Sequence, residues 1–196
     1  QLAESAREFF QRFVERGQDD PAQQVAVARA LYNLSQIEVS LSQYPQAIQH
    51  LREAEKILGT LYAANPDDDS ILLQRIKVWH LLMVVYREDM NFKEGIQLAP
   101  LATASLERLA PRRAEEREFL FLRPKVYRII GAMYGLPDQY EAGEKALQQA
   151  IAYQRETLAR FPEVEPKAEL LRALLSLTIL QNARNKGKEA YASALE

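Results

Sequence analysis

The 196-residue sequence has no cysteine, only two histidines, only seven glycines and no long apolar run, and each shortage removes a class of function. Without cysteine there are no disulfides, thiolate metal sites or thiol nucleophiles, and the compartment stays open between cytosol and periplasm. His50 and His80 are too few donors for a zinc site. His50 and Glu53 have the i, i+3 spacing of carboxylate-bridged bundles, but such sites need several more inward carboxylates, so His50 is expected at the surface. No two glycines are spaced to cradle a phosphate. The longest strongly apolar segment, WHLLMVVY at 79–86, falls far short of the roughly 20 residues of a membrane-spanning helix, so the chain itself is not expected to enter a bilayer. Net charge is −2 with both signs interspersed, which lacks the cationic excess of a nucleic-acid binder. The expectation is a protein that is not an enzyme and uses no cofactor or metal.

What is present is helical periodicity. Leu2, Ala6, Phe9, Phe10, Phe13 and Val14 form one apolar stripe, and the 3.6-residue spacing continues almost throughout, with no alternating strand pattern. Proline and glycine clusters punctuate it: GQDDP at 17–21, NPDDDS at 65–70, APRR at 110–113, GLPD at 135–138, FPEVEP at 161–166 and NKG at 185–187. Seven or eight helices are predicted, hence an all-α chain. Three consecutive carboxylates in NPDDDS do not alternate as calcium ligands do and lack the required glycine. Asp69 or Ser70 is instead expected to cap the following helix. Pro100 and Pro124 fall inside helices, where each removes a backbone donor.

A 48-residue repeat runs through these helices. QYPQAI at 43–48, NFKEGI at 91–96 and QYEAGE at 139–144 place an aromatic residue three positions before a small one. With Ala28, Ile76 and Pro124 as first positions, the fourth holds Leu31, Trp79 and Tyr127 and the seventh Leu34, Leu82 and Ile130. The twentieth holds Ala47, Gly95 and Gly143, and the twenty-seventh Ala54, Ala102 and Ala150. Small residues recur where two helices must approach closely.

This pattern resembles the tetratricopeptide repeat family, with small residues at positions 8 (Ser35, Gly131), 20 and 27; Met83 departs from it at position 8. The resemblance implies a right-handed α-solenoid of antiparallel helix pairs, each helix about two turns longer than the family's. Its units would be 21–66, 67–111 and 112–166, with 1–20 the second helix of a partial unit and 167–196 a partial fourth, whose second helix would start in KEAYASALE at 188–196. The pattern opens directly at Gln1, so the chain is expected to be part of a larger protein. Elongated repeats with NPD-type turns also resemble those appended to bacterial serine/threonine kinases.

In this family the first helices of the units line a concave groove. The resemblance places Arg29, Lys77 and Lys125 at position 2, Tyr32, His80 and Arg128 at position 5, Gln36 at position 9 and Arg87 at position 12. Positive charge along a groove steers an anionic partner, and guanidinium suits carboxylates; the same residues could equally be a solvated face. The lysine and asparagine clamp of chaperone-tail binders is not reproduced. The leading expectation is a module that binds a peptide or protein, an acidic one included, through these residues. The alternative is a sensory or dimerisation domain of a larger signalling protein, and pairing of the array ends into a homodimer is compatible with both.

Overall fold

The computed structural model describes residues 2–17, 23–135 and 137–193, and among these the chain is all-helical: eight α-helices, one 3-10 turn and no strand. It divides into two compact units between Asn91 and Phe92. The first holds α1 (Leu2–Gly17), α2 (Gln24–Ser40), α3 (Tyr44–Ala64) and α4 (Asp69–Glu88). The second holds α5 (Phe92–Arg113), α6 (Arg117–Met133), a 3-10 turn (Pro137–Gln139), α7 (Tyr140–Arg160) and α8 (Val164–Ser193). Within each unit every helix packs on its sequence neighbour, and α2 also reaches α4 as α6 reaches α8. This is a solenoid-like order of helix pairs.

The helices bury the faces that their periodicity dictates. α3 buries Ala47, Leu51, Ala54 and Leu58, a single stripe of a 3.6-residue period. α4 is apolar nearly all round and buries Ile76, Trp79, Leu82, Met83 and Tyr86 among others. In the second unit Phe119, Leu120 and Ile129 of α6 and Leu147 and Ala150 of α7 have no solvent exposure. Each leucine or phenylalanine so buried contributes about 1.5–3 kcal/mol relative to an exposed one.

The small residues of the repeat sit at helix crossings. Ser35 on α2 is buried, and its hydroxyl donates to Leu31 O at 2.8 Å and approaches Ala47 O of α3 at 3.4 Å. Gly131, two 48-residue steps on from Ser35, makes the equivalent crossing of α6 and α7. A Cβ there would lie 2.5 Å from Leu147 Cγ and 2.9 Å from the Gly143 carbonyl oxygen. Gly143 is tight on its other side too, where a Cβ would meet Tyr134 Cβ at 2.9 Å and Leu180 Cδ2 at 3.0 Å. The 48-residue register also shows in the turns. Ser42 and Met90 both have φ 58°, and both close helix ends in which a nitrogen reaches back five residues: Gln43 N to Glu38 O at 2.8 Å, and Asn91 N to Tyr86 O at 2.7 Å. This is the Schellman arrangement, here built on non-glycine residues.

Pro124 lies inside α6, as its position predicts, and cannot donate to the carbonyl of Leu120 four residues earlier. The Thr157 hydroxyl of α7 takes over that role, donating to Leu120 O at 2.8 Å from a fully buried position. A defect in one helix is thereby repaired by its neighbour.

Three local expectations are corrected. The N-cap of α4 is Asp68, whose Oδ1 accepts from Ser70 N at 2.9 Å and Ile71 N at 3.0 Å, one residue before the expected caps. APRR does not end α5: Pro111 lies in the last turn, is exposed, and removes only one donor near a helix end. NKG does not end α8, which runs on to Ser193 as one helix, so the second helix expected from 188 does not form. One interior glycine costs about 1 kcal/mol, too little to stop a helix by itself. In α1 Val14 is buried but Phe9 is 63% exposed, so the apolar stripe is not buried as a whole. The side chains of Leu2 and Ala6, and residues 18–21 of the expected GQDDP break, lie outside the described residues.

Candidate functional site

The residues expected to line a groove fall on three helices in two units. α2 carries Arg29, Tyr32 and Gln36 and α4 carries Lys77, His80 and Arg87, both in the first unit; α6 carries Lys125 and Arg128 in the second. Arg29, Tyr32 and Gln36 share one helix face by their i, i+3, i+7 spacing, and Lys77 with His80 and Lys125 with Arg128 are i, i+3 neighbours. Arg29 and Gln36 are exposed, while Tyr32, Lys77, His80 and Arg87 are half-buried. Gln36 Nε2 donates to the Tyr32 hydroxyl at 3.1 Å, which orients both side chains. α2 packs directly against α4, so these two sets belong to neighbouring helices of one unit. Arg87 is partnered by the adjacent Glu88 through its Nε at 3.1 Å.

Lys125 and Arg128 are held by acids of α8. Lys125 Nζ donates to Glu165 Oε1 at 2.7 Å, and Arg128 Nε to Glu169 Oε2 at 3.1 Å; Arg172 also pairs with Glu169. The hydrogen bond from Lys125 holds the Glu165 carboxyl below its ordinary range. Arg128 and Glu169 are both nearly buried, so their charges are spent on joining α6 to α8.

Two cations, one half-buried and one buried, carried no sequence signal as a pair until the register was known. Arg75 and Arg123 are 48 residues apart. Arg75 stacks on Trp79 at 4.7 Å and Tyr62 at 5.5 Å and pairs with Glu55 at 2.7 Å. Arg123 stacks on Tyr153 at 3.8 Å and Phe119 at 5.4 Å and pairs with Glu156 at 2.5 Å. Each pins one helix to its neighbour by cation–π and ionic contact. His50 is likewise not a surface residue: it is half-buried, and its Nδ1 lies 2.9 Å from the buried carboxylate of Glu38, across the α2–α3 contact.

The second unit also has a groove of about 680 Å³ with walls from α5 and α7 and a floor from α6. Ala99, Pro100 and Thr103 line one wall, Ala142 and Ala146 the other, and Ile130 and Tyr134 the floor. At one end the Tyr127 hydroxyl donates to Glu107 Oε1 at 2.9 Å. Burial, reinforced by that bond to a carboxylate, raises the Tyr127 pKa well above the ordinary tyrosine value. A neighbouring cavity of about 630 Å³ is bounded by Phe92, Ile96, Ala132 and Met133. Ala99, Ala142 and Ala146 leave room for the first hollow, and composition alone does not show on which side of a helix they lie. Among the described residues no three His, Asp or Glu side chains converge as a metal site, and no helix is long and apolar enough to cross a membrane.

No protein-family profile matches the sequence, and no curated protein matches it at a significant level.

Proposed function

We propose that the chain is a non-catalytic interaction module that holds an acidic peptide or protein segment against α2 and α4. The observation that carries this reading is the recurrence of one close helix crossing, Ser35 with Ala47 in the first unit and Gly131 with Gly143 in the second. A repeated helix pair builds extended surface, and extended repeat surfaces serve partner recognition. Within the first unit Arg29, Lys77 and His80 supply cationic or titratable groups, and the Tyr32–Gln36 pair supplies an oriented aromatic ring and amide. In the second unit Lys125 and Arg128 are paired with Glu165 and Glu169.

The test is fluorescence anisotropy with a labelled Asp/Glu-rich dodecapeptide and a Lys-rich control, at about 50 and about 300 mM salt. Binding is expected for the acidic peptide only, weakened by salt, and reduced about tenfold or more by the combined R29E and K77E changes, which corresponds to about 1.4 kcal/mol. K125E is expected to change it much less. Equal affinity for both peptides, or affinity indifferent to Arg29 and Lys77, overturns the assignment.

A further inference from the structure

α8 presents two faces of opposite character. Its inner face is engaged: Ala173 packs with Ala150 and Ile151, and Gln181 and Arg184 hydrogen-bond to Glu144 of α7 at 2.8 and 2.6 Å. Its outer face carries Leu171, Leu174, Leu175 and Ile179, which are 58%, 39%, 54% and 69% exposed. At about 100° per residue these four share one arc opposite Ala173 and Leu180. Rotating α8 to bury them would break its ties to α7. Their exposed surface equals roughly two whole leucine side chains, on the order of a few hundred Å², the size at which apolar patches mark interaction sites.

We infer that a second copy of the chain covers this stripe, with α8 antiparallel to α8 about a twofold axis at Leu175. The polarity of the helix matches itself about that residue. With Leu175 facing its counterpart, Leu171 of each copy lies opposite Ile179 of the other, Arg172 opposite Thr178, and Lys167 opposite Ala183. Leu175 meets Leu175 and Leu171 meets Ile179, Leu174 falls opposite Ser176, and neither cation meets a like charge. A twofold contact satisfies both stripes at once and leaves no free end for further growth. The stripe is smaller than the roughly 800 Å² per partner of a standard interface, so the dimer is weak and concentration-dependent. This surface is separate from α2 and α4, so the inference stands whether or not an acidic partner binds there.

Sedimentation equilibrium from about 1 to about 500 µM brackets such an association. A monomer–dimer equilibrium is expected, weakened about 100-fold or more by Leu175→Glu, as for the centre of an interface. Circular dichroism should not change, since the residue is exposed. The absence of native cysteine allows a geometric check. Under mild oxidation Leu175→Cys is expected to give a covalent dimer. Leu171→Cys alone is not, while Leu171→Cys combined with Ile179→Cys is. A monomer at every concentration, growth beyond the dimer, a dimer indifferent to Leu175→Glu, or cross-linking by Leu171→Cys alone each overturns the inference.

Discussion

Thr157→Val changes one hydroxyl to a methyl at a site with no solvent exposure and keeps the side-chain shape. In the native chain that hydroxyl donates to Leu120 O at 2.8 Å and also approaches Tyr153 O at 2.9 Å. Tyr153 O has the helical N–H of residue 157 as a second donor. Leu120 O lacks the usual donor four residues on, because residue 124 is proline. The valine variant therefore strands a buried carbonyl, at a cost of about 1–3 kcal/mol, and the new methyl recovers at most about 0.8 kcal/mol. A net loss of about 1–2 kcal/mol follows, read by urea unfolding with far-UV circular dichroism as a lower midpoint at unchanged m. For a chain of this size it corresponds to a Tm drop of about 2–8 °C. The reasoning is checked by a double-mutant cycle with Pro124→Ala, which restores an N–H at residue 124. In that background Thr157→Val should cost only a few tenths of a kcal/mol, giving a coupling of about 1 kcal/mol. Additive single and double variants would refute the repair of α6 by α7.

Two further outcomes test the packing and the titration. Gly131→Ala should destabilise by about 1–2 kcal/mol, because its Cβ meets the Gly143 carbonyl and overpacking outweighs the gain of about 1 kcal/mol in helix propensity. Gly59→Ala in α3, whose nearest neighbour is the Arg75 guanidinium at an ordinary contact distance of 3.4 Å, should stabilise by about 0.5–1 kcal/mol, and equal signs in thermal melts would contradict the crossing geometry. Tyr127 keeps its proton in the folded chain past the pH of about 10 at which an unfolded tyrosine loses it, so its contribution is intact below that pH and is lost as pH rises beyond it. Tyr127→Phe should flatten the alkaline fall in stability by up to about 1.4 kcal/mol per pH unit above pH 10, measured by urea titrations; an unchanged slope would show that the hydroxyl is not held by burial and Glu107.

The helices and their crossings were legible because both rest on local information. Ala47, Leu51, Ala54 and Leu58 are spaced by turns of helix, and Gly131 and Gly143 mark a contact in which nothing larger fits. Punctuation was less reliable. Pro66 lies in the turn between α3 and α4, whereas Pro111 lies inside α5, and a proline in an exposed last turn reads the same in sequence as one in a loop. NKG failed as a stop signal because neither asparagine nor a lone glycine outweighs a helix already anchored through Glu144 and Glu169.

The candidate site was legible as a set of cations in register and not as a set of available charges. Arg29, Lys77 and Lys125 are equivalent by sequence position, yet Lys125 is taken by Glu165, forty residues away on another helix. No pattern within one helix carries that pairing, since the acid belongs to a helix with its own period. The same holds for Arg75 and Arg123, whose aromatic and glutamate partners come in part from neighbouring helices.

By itself the sequence determined the helical state of the chain, the 48-residue spacing of its close contacts and the absence of thiol chemistry, because each depends on residue type and spacing along one strand of backbone. Tertiary structure alone decided that Lys125 and Arg128 pair with acids of α8, that Thr157 mends the gap left by Pro124, and that the leucines of α8 face outward. Those outcomes depend on which side of each helix meets its neighbour, and an amphipathic stripe records that a face is apolar without recording what covers it.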